Sequence, residues 1–111
     1  MADVDKLLQL QRLAQMHADR ATADLNSALQ PEKALQTAIT ELDSTPKFVP
    51  TSPEESQAAM RANAWRASKK RQLTMKLAER RAITQPIKEE TARKVARASV
   101  LERLVTEQPK K

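Results

Sequence analysis

The chain has 111 residues, a formal net charge of +6 and only two aromatic side chains, Phe48 and Trp65. It contains no Gly and no Cys, which excludes Gly-rich phosphate loops, disulfide frameworks and thiolate metal sites. So few large rings among so many alanines bury too little area for a compact multilayer core; Ala, Leu, Glu, Lys, Arg and Gln at this abundance predict long helices or a coiled coil.

One domain is expected over 1–111. The lack of Gly removes the usual left-handed helix stop, so few helix ends are expected. No run of 18 apolar residues exists, so no membrane insertion is expected. The start, Met1-Ala2-Asp3-Val4-Asp5, turns amphipathic at once and does not read as a secretory signal. Together with the absence of Cys, this predicts a cytoplasmic location.

A first helix is predicted over about 3–43. Asp3 and Asp5 suit the positive end of its dipole. Its heptad has Val4, Gln11, Ala18, Leu25, Glu32 and Ile39 at a, and Leu7, Ala14, Ala21, Ala28, Leu35 and Leu42 at d. Ten of these twelve are apolar, about twice what the composition would supply. Small seam residues let two helices approach closely. The heptad phase continues through Pro31, which predicts a bend in one helix rather than a break.

Residues 44–52 read as the loop, with extended backbone expected ahead of Pro46 and Pro50. Ser52, Pro53 and Glu55 form a helix start: an N-cap, a first-turn Pro and the acid of a capping box. The second helix is predicted over about 53–107. Its expected stripe steps through Ala62, Trp65, Lys69, Leu73, Leu77, Arg80, Ile83, Ile87, Thr91, Val95, Ala98, Leu101 and Val105. The polar interruptions recur at spacings of 11, which predicts a nearly straight stripe mismatched with the first helix and no tight packing along the whole length. Pro86 is expected to add a bend.

The fold class that follows is all-α, an antiparallel two-helix coiled-coil hairpin with the second helix longer and overhanging. Charge supports the pairing. The first helix has seven acids against four bases, and Arg61 to Arg103 has thirteen bases against four acids. Folding about the middle of the loop would oppose residues whose numbers add to about 97. Val95 to Val105, among the most apolar stretches in the chain, would then overhang as a docking surface.

No catalytic, cofactor or metal site is predicted. His17 is the only His and has no nucleophile or carboxylate constellation argued around it, so a flank or seam position is expected. Glu89 and Glu90 are adjacent on a helix and diverge. The basic run Arg61, Arg66, Lys69, Lys70, Arg71, Lys76, Arg80 and Arg81 is the kind of charge a nucleic-acid-binding arm carries. One Trp and no Tyr leave almost no stacking platform, however, and the charges spread around the helix. An acidic protein surface is the expected partner. Nucleic acid, or self-association as a plain oligomerising coiled coil, are the alternatives. Trp65 is expected as a filler near the hairpin tip, with an interface anchor as the functional alternative.

Four stretches resemble the FliJ-type family of flagellar and type III secretion export proteins. They are the leucine-spaced run Val4 to Leu13, the Ala-spaced helix after it, the basic start Trp65 to Arg71, and Ala92 to Leu104. The resemblance implies a bacterial, cytoplasmic protein, peripheral to the export apparatus. Its paired helix ends would enter the pore of a hexameric export ATPase, like the central stalk of a rotary ATPase. It also implies stimulation of ring assembly and ATP hydrolysis, contact with the export gate, and escort of export chaperones. Carried onto this chain, the contact residues are Leu7, Leu10 and Arg12 in the first helix, and Arg93, Arg97, Leu101, Arg103 and Leu104 in the second. The arginines would pair with pore carboxylates and the leucines would dock on an apolar sleeve.

Overall fold

The computed structural model describes residues 2–44 and 49–107. Two helices account for nearly all of them: α1, Ala2–Asp43, and α2, Pro53–Thr106. No strand occurs among the described residues, and the chain is an all-α two-helix hairpin. The backbone expected to be extended ahead of Pro46 lies outside the described residues.

Local chemistry accounts for the helix limits. Asp3 and Asp5 lie in the first turn of α1. α1 stops where the Ser44 amide caps the Thr40 carbonyl at 3.0 Å and the Ser44 hydroxyl donates to Glu41 O at 3.1 Å. At the start of α2 the Glu55 amide donates to Ser52 Oγ at 3.1 Å, the expected N-cap. The capping box itself is shifted by one residue. Glu55 Oε2 accepts from the amide of Thr51, at 2.7 Å, and from its hydroxyl, at 2.6 Å. Thr51 presents two donors to one carboxylate oxygen, where Ser52 would present only its amide. Pro31 and Pro86 both lie inside continuous helix. Each removes one backbone donor without ending its helix.

The chain divides into two compact units, Met1–Leu29 with Ile83–Lys111, and Gln30–Ala82. In the first unit, Ala14, Ala18 and Ala98 form a buried cluster, and Leu101 packs against it. In the second, Ile39, Leu73 and Leu77 are buried together, with Leu35, Ala38 and Leu42 packed around them. Along α1, every expected a and d position from Leu7 to Leu42 is buried or half-buried. α2 shows the same 3-4 alternation, through Leu73, Leu77, Arg80, Thr84, Ile87, Thr91, Lys94, Ala98, Leu101 and Val105.

That pattern corrects the expected stripe. Thr84 is fully buried, and Ile83 is 55% exposed. Lys94 is half-buried, and Val95 is exposed. The spacing is a 3.5-residue heptad, matched to α1, and not a straight 11-residue stripe. Thr84 and not Ile83 falls in the phase that faces α1, and the hydroxyl of a buried Thr can bond to a helix carbonyl.

The register is also different from the expected one. In the first unit the Thr91 hydroxyl lies 3.5 Å from Ala21 O. In the second, Lys70 Nζ is 2.8 Å from Asp43 Oδ1 and Arg81 Nε is 3.4 Å from Glu32 Oε1. Opposed residues therefore have numbers adding to about 112, not 97. Val95 to Val105 does not overhang: Ala98 is 2% exposed against Ala14 and Ala18. The longer helix overhangs at its other end. Residues 53–69 of α2 run on past Asp43, about 25 Å of helix.

Candidate protein-binding surface

The expected contact residues all lie in the unit made of Met1–Leu29 and Ile83–Lys111. There α1 and α2 approach closely because the seam is Ala14, Ala18 and Ala21 against Thr91 and Ala98, side chains too small to hold the backbones apart. Thr91 reaches the Ala21 carbonyl while also donating to Ile87 O at 2.7 Å. A seam this narrow leaves the larger side chains beside it only partly covered.

Leu10, Leu13, Ala14 and His17 of α1 and Lys94, Arg97 and Leu101 of α2 line an open groove of about 440 Å³. Leu10 is 54% exposed, Leu13 is similarly open, and Leu101 is half-buried. Leu101 also packs against the alanine cluster, which fixes its position. Lys94 Nζ pairs with Glu90 Oε1 at 3.5 Å one turn away. Arg97 has no ion pair among the described residues.

Of the eight residues expected to bind a partner, the groove gathers Leu10, Arg97 and Leu101. Leu7 is half-buried in the seam. Arg12, Arg93, Arg103 and Leu104 are exposed and lie outside the groove lining. Leu13, His17 and Lys94 were not expected. Leu10, Leu13 and His17 follow at steps of three and four residues beside the d positions, a signal present in the sequence but masked by the assumed overhang.

No group of three or more His, Cys, Asp or Glu that could hold a metal ion occurs among the described residues. No described helix is long and apolar enough to cross a membrane. What the groove can do is take an apolar side chain beside a cation. Comparison with protein-family models, curated proteins and solved structures finds no match to this chain.

Proposed function

We propose that this chain is a non-enzymatic coiled-coil component of a flagellar or type III protein-export apparatus. It binds and stimulates a hexameric export ATPase as a central-stalk-like or chaperone-escort protein, in the cytoplasm and peripheral at the export apparatus. The observation that carries this reading is the groove of Leu10, Leu13 and Leu101 bordered by Arg97, with Arg12, Arg93 and Arg103 exposed on the same unit. An apolar slot bordered by cations suits a partner surface of leucine-type side chains and carboxylates.

The mode of contact differs from a bare helix tip. α1 and α2 present the surface jointly, so a partner grips both helices of the hairpin. The fold class supports the reading, as do the residue patterns of Val4 to Leu13 and Ala92 to Leu104 that resemble the export family.

The test is ATPase turnover. The protein is titrated into the export ATPase of its own host, with Leu10→Asp and Arg97→Glu as surface variants. Turnover rises with the unaltered protein, and each variant loses most of that stimulation while keeping full helicity. Unchanged turnover with the unaltered protein, or stimulation by both variants equal to that of the unaltered protein, refutes the reading.

A further inference from the structure

The arm of α2 past the end of α1 carries a second surface. Asp43 is the final residue of α1 and meets Lys70, so residues 53–69 have no α1 residue opposite them. Within this arm Arg61, Trp65 and Lys69 follow at intervals of four and stand in one row along the helix. Ala58 and Ala62 lie in the row beside them. All five are exposed, Trp65 at 61%. Neither Arg61 nor Lys69 forms an ion pair among the described residues.

We propose that this row docks an acidic amphipathic helix of a partner protein. The hairpin itself displays the kind of surface α2 accepts. α1 is acidic and rich in small residues, and α2 cations meet its carboxylates at Lys70–Asp43 and Arg81–Glu32. Beyond Asp43, α2 keeps its cations and its alanines but has no acidic helix alongside. Ala58 and Ala62 allow close approach of a second backbone. Trp65 is the large ring that anchors it, and Arg61 and Lys69 stand one turn to either side to receive carboxylates. A nucleic-acid strand would find only one stacking ring. A second copy would set Arg61, Arg66 and Lys69 against the same three cations, with only Glu54 and Glu55 to offset them.

Trp65 is the only Trp, so its fluorescence reports this surface alone. The full chain is titrated with a synthetic helical peptide of about 20 residues, Leu and Ala on one face and Glu on the other. A saturable blue shift of Trp65 emission is expected. Affinity falls about tenfold or more in the Arg61→Glu, Lys69→Glu double variant, and is unchanged in Lys88→Glu, an exposed cation outside both the arm and the groove. Helicity of each variant is followed by circular dichroism. Trp65→Ala, read by anisotropy of labelled peptide, is a second variant expected to bind weakly. The proposal is overturned by any of four results: no blue shift, equal binding of a peptide with Lys in place of Glu, full affinity in Trp65→Ala, or tighter binding of a single-stranded DNA of about 20 nucleotides. A Trp65 shift that tracks protein concentration alone, with a rising mass in sedimentation, also overturns it. This surface does not depend on the ATPase reading: turnover reads the groove, and Trp65 emission reads the arm.

Discussion

The Thr91 hydroxyl sits 2.7 Å from the Ile87 carbonyl of its own helix and 3.5 Å from the Ala21 carbonyl of the other. A side chain that short can reach a neighbouring backbone only where the helices nearly touch. Ala21→Leu would put a branched side chain into that space. Overpacking of this kind costs about 1–3 kcal/mol, and Thr91→Val, which keeps the shape and removes the hydroxyl, costs about 1 kcal/mol. Urea denaturation of the two variants checks the order. Equal stability of Ala21→Leu and the unaltered protein would show that the seam is loose.

Register is open to direct chemical test because the protein has no Cys. Ala14→Cys with Ala98→Cys places two thiols in one buried cluster, and oxidation should close a disulfide readily. Val4→Cys with Arg93→Cys, the pair that a midpoint fold about the loop would oppose, should stay reduced as a monomer. The reverse outcome would restore the overhang at Val95 to Val105.

The second unit takes its stability from leucine, not alanine. Leu77 is 5% exposed and packs with Ile39 and Leu73. Leu77→Ala should cost about 2–5 kcal/mol. Leu10→Ala, at a half-exposed position, should stay within about 0.5 kcal/mol. Thermal melts of the two variants distinguish them. A small loss at Leu77 would mean that this cluster adds little to the fold.

The Thr51 hydroxyl, and then its amide, holds the Glu55 carboxyl below the usual Glu range. A carboxylate depressed on folding contributes stability above its unfolded value, and that contribution is lost as pH falls through the folded value. Thr51→Ala removes the larger cause. In the variant the Glu55 carboxyl, followed by NMR, should titrate closer to an ordinary Glu. An identical titration in both proteins would remove Thr51 as the cause.

Lys70 and Asp43 are about half exposed, so their contact marks register more than it stabilises. Asp43→Asn should change stability by less than about 1 kcal/mol, and added salt should erase the difference. A larger loss that persists in salt would identify the pair as a structural lock.

The sequence by itself determined the helices and the α1 seam. Acids in the first turn, Ser52 ahead of Pro53, and Ala and Leu at strict heptad spacing are local signals, and local backbone chemistry reads them. It also carried most of α2's buried face, but it chose Ile83 over Thr84 and Val95 over Lys94, and it ran the face on through Ala62, Trp65 and Lys69, where Trp65 is exposed and fills no seam. Hydrophobicity ranks those pairs one way, and the heptad phase that faces α1 ranks them the other. Register was beyond reach of the pattern. A heptad repeat slides by seven residues and looks the same, and the expected and observed alignments differ by about two such steps. Only contacts between particular residues, Thr91 with Ala21 and Lys70 with Asp43, separate one alignment from the next. The tertiary structure therefore decided which apolar stretch is covered and which arm is left open, because it alone sets which layer of one helix meets which layer of the other.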